Sequence, residues 1–489
     1  MVSISNGQKG ASSDIDIRNL ALCCTALFIH GLSAWAVNGG LYPSFADFFG
    51  LGRELATALL AIGFAGMGLV SAFKPTWLEQ KTLGVIGFGC AISVGLVLAL
   101  ALSVKSPFAI MIGLAFRCTS EVIAVSFMGL ALCSLKREIV VPTVVGITAV
   151  STLAATIAPA PKGAGGAMLV CAILVASIAF AYRPAQPMFS ILASSEPPAD
   201  IQLVNPNSFI PLKSGLYGCT FLYGATFGFS LVFGNTEHGF IFSVLPSLVL
   251  FAFIAWFLAT KPKEPLDALF SLAVVLAVAG FASIPVASLL GAQLVGSLFS
   301  SGLACLKALI LIMAIAVARR SSYAILPTLC ALNACESLGV LFGAASEAIA
   351  GIAFSNSDSA VALISMAALV CFVGFLWTFL RTFSFTSTIE RLVSPAVVAV
   401  NETDQNVSFD SACEAIGREF GLTKRETEIL ALLARGRNAP FIQEKYIVSR
   451  NTVKTHIRHI YAKTNVHSQQ EIIDFVENRR SATLPNVRR

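Results

Sequence analysis

Twelve apolar stretches, each about 20 residues long, fill the first 380 positions of this chain. They cover residues 19–39, 54–73, 82–103, 107–134, 139–159 and 164–182, then 214–234, 239–260, 267–288, 291–317, 323–350 and 359–380. A helix needs about 20 such residues to cross the hydrocarbon of a bilayer. Inside lipid every backbone N–H and C=O must be bonded within the protein, which makes a run of this length a helix. The expected fold is therefore all-α, a twelve-helix transmembrane bundle. Only 12% of the residues are charged, where soluble domains hold about 25%. Lipid as the main solvent accounts for that deficit, because charge is costly there.

The remaining segments set the domain plan. A polar N-terminus (1–18) precedes the membrane domain (19–380), followed by a linker (381–417), a polar C-terminal module (418–479) and a basic tail (480–489). With the N-terminus inside, the cytoplasmic loops hold 13 Lys and Arg residues and the external loops hold Arg53, Lys105 and Lys162. That bias follows the positive-inside rule and predicts a multi-pass protein of the cell membrane with both termini cytoplasmic. The N-terminus carries acids and has neither the basic start nor the small-residue cleavage site of a signal peptide, so it is expected to be retained.

The polar, proline-containing connection 183–213 divides the membrane domain into halves, 19–182 and 214–380. The halves echo each other: Gly113–Arg117 (GLAFR) resembles Gly302–Lys307 (GLACLK), and basic pairs Lys136-Arg137 and Arg319-Arg320 each precede a Pro-Thr helix start. In helix count, central loop, orientation and paired halves, residues 19–380 resemble the major facilitator transporter architecture. That resemblance implies a cavity between the halves. The loop Lys74–Lys81 (KPTWLEQK) lacks the Asp-Arg pair that helps gate the moving halves in that superfamily.

The C-terminal module differs in kind. From Arg418 onward the chain holds 14 Lys and Arg against 7 Asp and Glu, so the whole basic excess lies there. Such asymmetry suits a nucleic-acid partner. Four helices are predicted. Thr423 and Glu426 form a capping box, Gly436 ends the first helix, and Asn438, Ser449 and Ser468 cap the next three. In the third helix Val453, Ile457 and Ile460 make a buried stripe, which leaves Asn451, Lys454, Thr455 and Arg458 on an outer face. That face can enter a major groove, with Thr452, His456 and Lys463 at its flanks. The alternative is a solvated charged face.

Residues Leu422 to Val476 closely resemble the LuxR-type helix-turn-helix domain of many bacterial regulators. The resemblance rests on LTKRE-E-L-LLA-G, on Ile442 seven residues before Ser449, on S-x-x-TVKxH, and on Val466 with Ser468. It implies base reading by Lys454, Thr455 and Arg458, backbone contacts by Thr452, His456 and Lys463, and dimerisation through the fourth helix on promoter DNA. The linker is too short for a receiver domain, which needs on the order of a hundred residues.

Charges within the apolar stretches are the other candidates for function. Arg117 and Glu121 lie four apart on the fourth stretch, Lys307 on the tenth and Glu336 on the eleventh. They are expected either to line a cavity that selects a polar or charged small-molecule ligand, or to form ion pairs that lock the two halves. His30 and Asn333 are weaker candidates, more often packing residues. The cysteines form no CxxC or Cys/His cluster, and the chain has no Walker motif or nucleophile elbow. Neither an enzyme nor a metal or other cofactor is expected.

Together these readings point to a membrane-bound one-component transcription regulator. Its partners would be the lipid bilayer, an unknown small molecule and promoter DNA bound as a homodimer. The alternative is a secondary transporter with an appended regulatory domain.

Overall fold

The computed structural model describes residues 6–193, 214–230, 240–262, 264–286, 292–319, 322–353, 366–367, 369–375, 378, 412–434, 442–443, 446, 450–466, 468–469, 471–472, 475–476 and 479. The chain divides into two compact units, Met1–Ser394 and Pro395–Arg489.

The first unit is all-helical among its described residues. Its first half holds α1 (Asn6–Gly31), α2 (Gly52–Phe73), α3 (Gln80–Val104), α4 (Pro107–Leu132), α5 (Arg137–Ala154) and α6 (Gly163–Ala193). The second half holds α7 (Gly215–Ser230), α8 (Phe240–Thr260), α9 (Pro265–Ser283), α10 (Ala292–Ala318) and α11 (Ile325–Ala353). Among the described residues, eight helical segments are long and apolar enough to cross a membrane, by length and composition, and Glu138–Ala154 and Val244–Thr260 are shorter apolar helices. The expected helical membrane bundle is present, but the expected count of twelve is reached only in part. The seventh stretch is described as a helix over Gly215–Ser230, beyond which it lies outside the described residues, and the twelfth falls mostly outside them.

Local chemistry explains where the central helix begins. Lys105 takes a left-handed conformation at φ 55° and ends α3. Ser106 then caps α4, its hydroxyl accepting from the Ala109 N–H at 3.4 Å, and Pro107 fills the first turn, where no N–H is needed. From Val122 to Leu132 every residue of α4 is buried, as befits a helix that is apolar all round. The Ser120 hydroxyl donates to Gly87 O on α3 at 3.1 Å, and the Cys118 thiol donates to Ala56 O on α2 at 3.3 Å. Beyond α1 the chain passes through a π-helical turn, Ala36–Leu41, a local widening that often accompanies functional sites.

Within the halves, α3 packs on α4 and α6, α9 on α10, and α7 on α11; between the halves, α2 packs on α11 and α5 on α8. The α7–α11 crossing depends on glycine. Gly224 and Gly228 face Gly339 and Gly343, and a Cβ added at Gly224 or Gly339 would overlap the carbonyl of Glu336 or Phe221 respectively. Small residues spaced four apart on both helices let the backbones touch, the usual basis of close helix pairing in lipid. A hydrogen bond also runs between the halves, from Arg319 Nη2 to Leu135 O at 2.6 Å.

The second unit has its own core. Helices α12 (Lys424–Ala434) and α13 (Arg450–Thr464) enclose Ile429, Leu433, Ile442, Val453, Ile460 and Ile472, each at most 2% exposed. The capping box at Thr423 forms: the Glu426 N–H donates to Thr423 Oγ1 at 3.3 Å, and the Thr423 N–H donates to Glu426 Oε2 at 2.8 Å. Ser468 caps in the same way, accepting from the Glu471 N–H at 3.2 Å. The predicted caps Gly436, Asn438 and Ser449 lie outside the described residues.

Candidate ligand cavity and DNA-reading helix

A cavity of about 410 Å³ opens inside the first unit, with walls from both halves. Arg117, Glu121, Lys307 and Glu336 all line it, and so do His30 and Asn333. Helix α4 contributes the first two, α10 and α11 the next two. The four sequence candidates therefore share one site.

Their partners differ from expectation. The i, i+4 spacing on α4 does not close an Arg117–Glu121 ion pair. Glu121 turns to the end of α1 and the turn beyond it, where Ser33 Oγ donates to its Oε2 at 3.2 Å and His30 Nε2 lies 3.8 Å from its Oε1. Lys307 Nζ lies 3.5 Å from Glu336 Oε1. Each pair is thus contained in one half, so among the described residues these charges do not lock one half to the other. The choice of partner follows from α1 lying against α4 on the cavity side, a tertiary fact that spacing along one helix cannot carry.

Arg117 stands apart. It is 3% exposed; among the described residues its Nη2 reaches only the soft Cys118 Sγ at 3.7 Å, and its Nε is buried without a hydrogen-bond partner. Two lining residues escaped the sequence reading. Arg53 counted as an external-loop charge, yet it lines the cavity while pairing with Glu54 at 3.0 Å. Tyr42 follows the π-helical turn and lines it too; nothing in its local sequence marks it.

In the second unit, α13 presents the expected outer face. Val453 and Ile460 are fully buried and Ile457 packs against the same core. Thr452, Lys454, Thr455 and Arg458 are exposed, and His456 is half-buried. The side chain of Asn451 lies outside the described residues. Lys454 and Arg458, one turn apart, lie side by side on the exposed face.

Lys463 is engaged within the domain. Its ammonium donates to Glu426 Oε2 at 2.7 Å and to Gly421 O at 3.0 Å, and His459 Nδ1 lies 3.5 Å from Glu426 Oε1. The carboxylate that caps α12 thereby anchors the far end of α13. Burial pushes the Glu426 carboxyl up, but hydrogen bonds from Lys463 and from the Thr423 N–H and hydroxyl, with the Lys463 charge, outweigh it and hold it at about 2 against an ordinary 4.5. A folded-state pKa below the unfolded one adds stability above pH 4.5, which is lost as pH falls toward about 2. Because the Lys463 side chain is 37% exposed, screening reduces this to about 1–2 kcal/mol. Glu426→Gln should lower the stability of this unit by that amount at neutral pH. It should also flatten its acid sensitivity, as read by hydrogen exchange of α12 and α13 in the full chain. An unchanged pH profile would count against the clamp.

Residues 421–476 match the family described as bacterial regulatory proteins, luxR family. The chain is similar to the oxygen regulatory protein NreC of Staphylococcus carnosus (strain TM300), 44% identical over 54 residues, 11% of this chain and 25% of that protein. It is also similar to NreC of Staphylococcus aureus (strain MRSA252), 38% identical over 76 residues, 16% of this chain and 35% of that protein. The match thus spans 25% to 35% of the length of these relatives. Among solved structures, the chain is similar to the nucleoside transporter NupG, with 16% identity, TM-score 0.41, and coverage of 76% of this chain and 99% of that one. It is similar to a bacterial homologue of the iron transporter ferroportin, with 13% identity, TM-score 0.48, and coverage of 75% and 98%. A third is the major facilitator superfamily proton:xylose symporter XylE, with 11% identity, TM-score 0.43, and coverage of 75% and 96%. Residues 421–476 are a LuxR-type helix-turn-helix domain, joined in one chain to an all-helical unit that holds eight candidate membrane spans among its described residues.

Proposed function

We propose that this protein is a membrane-bound one-component transcription regulator: its membrane unit senses a small molecule, and its LuxR-type domain binds promoter DNA as a homodimer. The observation that carries this reading is the cavity itself, since ionisable side chains from both halves converge on it in the same chain as a DNA-reading helix. A ligand that touches both halves binds their alternative arrangements with different affinity, and only such a difference can shift the equilibrium between them. In this reading twelve helices cross the membrane and both termini are cytoplasmic, as the loop charges favour. Lys454, Thr455 and Arg458 read bases, while Thr452, His456 and Lys463 contact the backbone. The missing Asp-Arg pair in the loop Lys74–Lys81 favours a sensor over a working transporter.

The test uses the full chain in lipid nanodiscs. Fragments from around its own gene should bind more tightly than scrambled DNA, with affinity falling steeply as salt rises. Equal, salt-insensitive binding to both would sink the regulator reading. Flux of a labelled solute into proteoliposomes would instead support the transporter alternative.

A further inference from the structure

The cavity walls carry three cations, Arg53, Arg117 and Lys307, against two carboxylates, Glu121 and Glu336, and their hydrogen bonds are unevenly met. Glu121 has His30 and Ser33, Glu336 has Lys307, and Arg53 has Glu54. Arg117 has five N–H donors in a planar fork, and among the described residues its one hydrogen-bond contact is to a thiol sulfur. It is nine-tenths buried, lines the cavity and leaves Nε unpartnered. A buried cationic group with unmet donors costs free energy that a matching acceptor recovers. The acceptor that fits this fork is a planar, two-oxygen anion, which takes two parallel N–H···O bonds.

The rest of the wall restricts the choice. Leu27, Leu60, Phe64, Met128, Phe227 and Leu329 give the cavity an apolar lining, so the ligand carries an apolar body. The lining cations exceed the lining carboxylates by one, which suits a monoanion better than a dianion such as a phosphate monoester. The same excess disfavours an ammonium. A volume of about 410 Å³ lies in the range of sites for small organic ligands.

We infer that the cavity binds a small amphipathic monocarboxylate, its carboxylate held by Arg117 and its apolar body reaching across to the second half. The inference rests on the sensor reading for its consequence but not for its test.

The probes are straight-chain and phenylalkyl monocarboxylates of four to twelve carbons, each paired with its amide and its amine. Binding to the full chain in nanodiscs is measured by titration calorimetry and thermal shift. At least one carboxylate should bind about tenfold or more tightly than its amide, with the amine weaker still. Arg117→Gln should erase that preference. If this variant fails to fold, Arg117→Lys keeps the charge, loses the fork and should reduce the preference by about tenfold. The wild-type comparison decides the matter in any case: no carboxylate bound in preference to its amide, or a preference that survives Arg117→Gln, overturns the inference. Carboxylate binding that leaves DNA affinity unchanged would keep the inference and sink the sensor reading. A DNA response to amides or amines alone would do the reverse.

Discussion

Leucine at position 339 should destabilise the membrane unit by roughly 3 kcal/mol or more, the largest effect expected of any single substitution here. Overfilling a packed core costs about 1–3 kcal/mol when neighbouring side chains can move aside. At Gly339 the obstacle is the backbone carbonyl of Phe221, with the Ala225 nitrogen close behind, and α7 can yield only by moving as a whole. Because α11 also packs on α2 of the other half, the displacement reaches the seam and the cavity wall at Glu336. Thermal unfolding in detergent should show a clear drop for Gly339→Leu and a smaller one for Gly339→Ala. Leu338→Ala, one residue away and 50% exposed, should change little. Equal behaviour of the 338 and 339 variants would rule out the close crossing.

The second large effect lies on α13. The double substitution Lys454→Ala with Arg458→Ala should weaken binding to a specific promoter fragment roughly 10²–10⁴-fold, from about 1–3 kcal/mol at each base-reading side chain. Both side chains are exposed beside the buried stripe, so the fold should be unaffected. Fluorescence anisotropy at fixed salt, on specific and scrambled fragments, separates the roles. Loss confined to the specific fragment marks base reading. Equal loss on both, with the salt slope flattened by about 0.9 per residue, would make them phosphate contacts.

What could be read from the sequence follows the range of the interaction. The capping box at Thr423 and Glu426 was legible because its partners are three residues apart and chemically complementary. Arg117, Lys307 and Glu336 were legible as candidates for one cavity because charge within an apolar run demands a reason. Their pairing was not. Whether Glu121 answers Arg117 or His30 depends on where α1 lies, which nothing in the α4 sequence encodes. Lys463 illustrates the same limit: its place in the motif suggests a phosphate contact, while the fold brings Glu426, 37 positions earlier, within 2.7 Å. The facing glycines of α7 and α11 were silent for another reason. Glycine is common in membrane helices, so its presence does not say which two helices touch.

The containment of each acid–base pair within its own half has a mechanical consequence. Among the described residues, each half keeps its own carboxylate partner at the cavity wall. One half can pivot on the other without breaking the His30–Glu121 or Lys307–Glu336 contact, and the charged group seen to span the halves is Arg319, bonded to Leu135 O outside the cavity lining. Whatever charge enters the cavity is then the term that tilts the two arrangements against each other, and the sensitivity of such a device is set by its occupant rather than by its own frame.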